Sequence, residues 1–136
     1  MKEIEHKGHI YRIGDMTPMV EVHLLRRLGP FLPALAPVIR ELTDSGPDAL
    51  AIAKAAGPLA DVLAKMTDEE AEEIIYRSLA VVARKGNAGW APVMTAHGIP
   101  GFDDLSMMDI LKLTVSSIQE NFGPFFGELR TVGNTT

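Results

Sequence analysis

Residues 67–93, TDEEAEEIIYRSLAVVARKGNAGWAPV, contain a helix whose start, body and end can each be read from residue types. Thr67 stands three residues before Glu70, the capping-box spacing in which each side chain satisfies an amide at the helix start. Asp68, Glu69 and Glu70 set negative charge against the positive end of the helix dipole, and Arg84 and Lys85 do the reverse at the far end. Gly86 can turn left-handed and stop the helix. Ala71, Ile74, Ile75, Leu79 and Val82 recur at helical spacing as one apolar stripe, and Ala80, Val81 and Ala83 widen it. The spacing predicts a helix over 67–85 whose second half is enclosed by other elements.

The flanking segments supply those elements. Upstream, residues 48–66 read as helical with an interruption at Gly57-Pro58, and Thr43-Asp44-Ser45-Gly46-Pro47 reads as a turn. Before it, FLPALAPVIREL predicts a second helix ending near Leu42, irregular because of Pro33 and Pro37. Thr17 and Pro18 open the first helix as cap and first residue. Its Val20, Leu24, Leu25 and Leu28 face one way, and Gly29-Pro30 ends it. Residues 3–13, EIEHKGHIYRI, alternate around Lys7-Gly8 and predict a short hairpin, which needs helices or another strand to be stable. Downstream, 86–104 is too long for an ordinary loop, so part of it should be extended, with Val93 to Thr95 the best segment. Ser106 and Asp109 have capping-box spacing, and Met108, Leu111, Val115, Ile118 and Phe122 line one face of a helix over 107–121. Asn121 to Gly123 should end it, with Pro124 starting a last short helix.

The expectation is a mainly α (α+β) fold, all-α apart from the short N-terminal hairpin. It is a compact multi-helix domain over residues 1–130 with a disordered tail at 131–136. Helices 18–28, 67–85 and 107–121 should supply most of the core. Composition agrees: 136 residues suit one domain, and the 46% hydrophobic fraction is aliphatic and Met-rich rather than aromatic. Seven methionines read first as adaptable core filler. A net charge of −5 argues against binding through nucleic-acid phosphates. No cysteine is available for a disulfide or a thiolate metal site, and no run approaches the ~18 apolar residues of a membrane span.

Candidate chemistry is sparse. His6 and His9 flank the hairpin turn and could meet across it, but a metal would need a third ligand, such as His97 or Asp103. Asp103-Asp104 could be a carboxylate pair, although acidic residues ahead of a helix are ordinary dipole partners. The glycines at 86, 89, 98 and 101 form no phosphate-binding motif, and no G-x-S-x-G occurs. The sequence therefore predicts no catalytic residue, no cofactor and no metal. Trp90, Phe122, Phe125 and Phe126 read first as core, and as partner anchors if they share a surface patch, with Arg26 and Arg27 able to flank it against an acidic partner.

The order of these features resembles a known family. The hairpin with Tyr11-Arg12-Ile13, VHLLRRLGPFLPAL, DVLAKMTDEEAEEIIYRSLAVVARK, WAPVM and FDDLSMMDILKLTVSSIQENFGPFF together look like the tail assembly chaperones of long-tailed bacteriophages and prophages, over about residues 3–127. The resemblance implies a non-catalytic protein of the host cytoplasm that binds the tail tape-measure protein. It would keep that protein's apolar surface from aggregating, help recruit tail-tube subunits and be absent from the finished virion. Some such genes also make a longer frameshifted product. Self-association is left open, and no membrane or nucleic-acid partner is implied. The alternatives are a structural virion component, a small metal-dependent enzyme using His6, His9 and Asp103, and a helical regulator of nucleic acid, for which a basic recognition helix is missing.

Overall fold

A computed structural model describes residues 2–45, 49–95 and 98–134, with the side chains of all of these except 39–45, 49, 51 and 126–134. The elements in order are β1 (Lys2–His6), β2 (His9–Ile13), α1 (Pro18–Leu28), a 3-10 turn (Gly29–Phe31), α2 (Leu32–Ser45), α3 (Ala49–Ala64), α4 (Asp68–Leu79), β3 (Val82–Gly86), β4 (Gly89–Pro92) and α5 (Met107–Asn134). The strands form one antiparallel sheet in the order β1-β2-β3-β4. This is an α+β fold: the mainly α expectation fits in part, but a four-stranded sheet in place of a lone hairpin overturns the all-α reading.

The correction falls on residues 67–85. Helix α4 stops at Leu79, and the stretch assigned to its second half becomes a strand. Val82 satisfies the period of the helix stripe, but it also pairs with Ile13, as Arg84 does with Tyr11. Pairing with a preformed hairpin decides between the two periods, and β-branched Val82 suits a strand. Arg84 and Lys85 are therefore strand residues, and Arg77 is the basic residue in the last turn of α4. Gly86 closes a second hairpin, paired with Gly89 across Asn87-Ala88, instead of capping a helix. The extended part of 86–104 begins at Gly89, earlier than Val93 to Thr95, and Met94 makes only an isolated bridge to Pro100.

The N-terminal hairpin forms as expected. Lys7 (φ 52°) and Gly8 (φ 81°) are both left-handed, as a two-residue type I′ turn demands. Helix α1 is capped by Thr17, whose Oγ1 accepts from the Val20 amide. The box at α4 is complete: the Glu70 amide donates to Thr67 Oγ1 at 3.2 Å and the Thr67 amide donates to Glu70 Oε1 at 3.3 Å. Thr67→Ala is expected to lower stability by about 1 kcal/mol in urea unfolding, with an unchanged m-value.

The breaks expected at Gly57-Pro58 and before Pro124 do not occur, and α2 continues through Pro37, where an irregular helix is expected. Pro37, Pro58 and Pro124 all lie inside continuous helices. Each is bracketed by residues that pack on one core: Leu35 and Val38, Ala56 and Leu59, Phe122 and Phe125. Burial on both sides of each ring outweighs the lost amide and the steric cost, ~3 kcal/mol. Helix α2 runs on to Ser45, through the first residues of the expected turn, while Gly46, Pro47 and Asp48 lie outside the described residues. Asn121, expected to end its helix, sits inside α5. Its Oδ1 accepts from the Met16 amide at 2.8 Å, and its Nδ2 donates to the carbonyls of Gly14 and Ser117. That side chain ties the link between β2 and α1 to α5. The helical backbone of α5 extends to Asn134.

Two apolar clusters result. One joins α1, α2, α3, α4 and α5 around Leu24, Leu35, Leu59, Ile74 and Ile118. The other lies between the sheet and α5, around Tyr11, Ile13, Val82, Val93 and Leu113. The sheet thus has an inner face covered by helix and an outer face holding Glu3, Glu5, Ile10, Arg12, Ala83, Lys85 and Trp90.

Candidate interaction surface

The residues expected to bind a partner lie on three separate elements. Arg27, at the end of α1, donates from Nε to Glu73 Oε2 at 2.7 Å, and its Nη1 lies 3.7 Å from Glu70. Arg77 holds the other Glu73 oxygen at 3.1 Å. The Arg27 hydrogen bond, with Arg77 adding to it, holds the Glu73 carboxyl below its ordinary range, so Arg27 serves first to join α1 to α4. Arg26 is exposed one position away. Phe122 is buried in the helical cluster and Phe125 is packed against it. The side chain of Phe126 lies outside the described residues.

Trp90 is half-buried on the outer face of the sheet. The Arg12 guanidinium lies 4.6 Å from its ring centroid, a cation–π distance that holds the indole in place without covering it by helix.

The histidines meet as expected, His6 opposite His9, but each turns to a carboxylate. His6 Nε2 lies 2.6 Å from Asp109 Oδ1, and His9 Nε2 lies 3.5 Å from Asp104. Asp109 is a buried carboxylate that also meets Lys7 Nζ at 3.0 Å and accepts from the Ser106 amide at 2.9 Å. The Asp109 amide donates to Ser106 Oγ, so the second capping box read from sequence is present. Burial opposes the charge on Asp109. His6, Ser106 and Lys7 outweigh it and hold the carboxyl well below the ordinary 3.8. Because this group's folded value is depressed, the stability it contributes is complete above about pH 4. It is lost as pH falls from there toward the lower folded value. Thermal unfolding between pH 5 and pH 2 is expected to show the midpoint falling below about pH 4.

Asp103 and Asp104 do not act together. Asp104 accepts two bonds from Arg84 Nη1, at 2.9 and 3.1 Å, and the Arg84 bond, aided by nearby His9, lowers its carboxyl. Arg84 also lies over Phe102 at 4.1 Å. These contacts fasten the segment before α5 to the sheet. Among the described residues no group of three His, Cys, Asp or Glu side chains is placed to hold a metal ion. His97 lies outside them. No helix among the described residues is long and apolar enough to cross a membrane.

Among the described residues the most exposed apolar side chains are aliphatic and Met rather than aromatic: Met107 (76%), Leu50 (66%), Ile99 (63%) and Met19 (62%), with Val22 and Met108 about half exposed. Residue type alone reads Met first as core and only second as binding surface, so it does not say which methionines are exposed. The signal was present in α1, where Met19, Val22 and Arg26 make a second stripe opposite Val20, Leu24 and Leu28. Two grooves lie elsewhere on the surface of the described residues. One, of about 540 Å³, lies beside α4 between Glu69, Glu72, Tyr76 and Met94. The other, of about 280 Å³, lies under β1 against Ile52, Lys112 and Leu113.

Neither the curated proteins nor the solved structures compared with the chain give a match. A family model described as "Phage tail assembly chaperone protein, TAC" matches residues 7–133, which takes in strands β2 to β4 and the five helices up to residue 133 but not β1. The chain belongs to the phage tail assembly chaperone family.

Proposed function

We propose that this chain assists tail assembly by binding the tail tape-measure protein, shielding its apolar surface until tail-tube subunits cover it, and that it does so without catalysing a reaction. Family membership supports a chaperone role in tail assembly and an interaction with tail proteins. The observation that carries the finer reading is the set of exposed Met and aliphatic side chains on α1 and at the start of α5. Unbranched Met side chains adapt to many apolar partners, which suits a chaperone better than a fixed joint. The reading places the protein in the host cytoplasm during assembly. Quantitative mass spectrometry on assembling tails and on finished virions tests it. The chain should accompany the tape-measure protein in early intermediates and be missing from finished particles. A constant number of copies in finished virions would overturn the reading in favour of a structural component.

A further inference from the structure

The geometry points to the free edge of β1 as a docking site for an extended segment of another protein, one that adds a fifth strand to the sheet. This inference does not depend on the tape-measure reading.

Among the described residues β1 pairs only with β2, so its other edge is open. In a hairpin with a two-residue turn the flanking pair, here His6 and His9, is hydrogen-bonded, and bonded pairs then alternate. Lys2, Ile4 and His6 therefore direct their backbone groups to β2, and those of Glu3 and Glu5 point to the open edge. Beneath that edge lies the groove of about 280 Å³ walled by Ile52, Leu113, Lys112 and Ser116. An added strand would pair with Glu3 and Glu5 and drop alternate side chains into the groove.

Charge defines the occupant. On the groove side the side chains of Lys2 and Lys112 are cationic around apolar Ile4, Ile52 and Leu113. On the outer face Glu3 and Glu5 are exposed. A matching strand carries acidic residues flanking an apolar one on its inner side, and basic residues on its outer side. A second copy of β1 does not fit. Antiparallel self-pairing centred on Ile4 sets Glu3 opposite Glu5, and centring on either glutamate sets it opposite itself. Shifting by one residue turns the apolar face outward. Like charges directly opposite destabilise a pair, so this edge selects against itself.

The test uses the full 15N-labelled chain and two palindromic, end-blocked peptides of identical composition, TEKVKET and TKEVEKT. Only the first has acidic residues inward and basic residues outward, whichever way it runs. Amide shift titrations should show it perturbing Glu3, Glu5, Ile52, Leu113 and Ser116, with binding at least about tenfold tighter than its counterpart. Glu5→Pro, which removes an amide that faces away from β2, should abolish binding while the remaining spectrum stays native. Because that variant could misfold, Glu3→Lys with Glu5→Lys serves as a second, and it should weaken TEKVKET at least about tenfold. Equal binding of both peptides, no binding at millimolar concentration, or shifts centred away from β1 would overturn the proposal.

Discussion

Phe122→Ala is expected to cost about 3–5 kcal/mol in urea unfolding. Phe122 is 3% exposed and packs in the helical cluster with Leu24, Leu28, Ile74 and Ile118. Truncation removes most of a ring's apolar area from that core and leaves a cavity that five helices cannot all collapse upon. The loss is a large share of the roughly 5–15 kcal/mol that holds a domain together. Phe122→Leu, which fills much of the space, should recover more than half of it. A Phe122→Ala chain as stable as the parent would mean that the ring is free to meet a partner and that α5 packs differently.

Asp109→Ala ranks second, at about 2–4 kcal/mol. Its carboxylate joins three parts of the fold: it completes the box at the start of α5, it accepts from His6 on β1, and it meets Lys7 in the hairpin turn. Without it the Ser106 amide and the His6 ring lose their acceptor in a place where water reaches poorly. Because Lys7 is exposed, its share is small. Asp109→Asn retains an acceptor for Ser106 but not the charge, so about half of the loss should remain. Both variants should also flatten the fall in stability below about pH 4. Urea unfolding at pH 7 and pH 3 measures both effects, and an Asp109→Ala chain with parental acid sensitivity would show that other carboxylates set it.

What was legible in the sequence was local. Thr67 with Glu70 and Ser106 with Asp109 announce two helix starts through residues three apart, and Lys7-Gly8 announces a hairpin through its own turn chemistry. What escaped was long-range. Val82 fits a helix stripe until Ile13, far upstream, is available as a strand partner. The signal for β3 and β4 was the Gly-Asn-Ala-Gly turn at 86–89, outweighed by a run of residues that also suits a helix. The prolines misled for the same reason, since their local cost is offset by packing that only the assembled helices supply. At the candidate surface, the arginine pair at 26–27 was legible as charge, but Glu70 and Glu73, which claim Arg27, lie on another helix. His6 and Asp109 are 103 residues apart, and neither carries a local mark of the other.

Residues that hold the fold and exposed residues open to a partner therefore separate on this chain. Phe122, Asp109 and Arg27 hold the fold, while Met19, Val22, Arg26 and Met107 are exposed and available to a partner. The most direct test of the chaperone role proposed above is the solubility of the tape-measure protein expressed alone and together with this chain. The tape-measure protein should move into the supernatant and be retained on the tagged chain, and replacing Met19, Val22 and Met107 together by Ser should reverse both without unfolding the chain. A tape-measure protein that stays insoluble and unbound beside a folded chain would contradict that role.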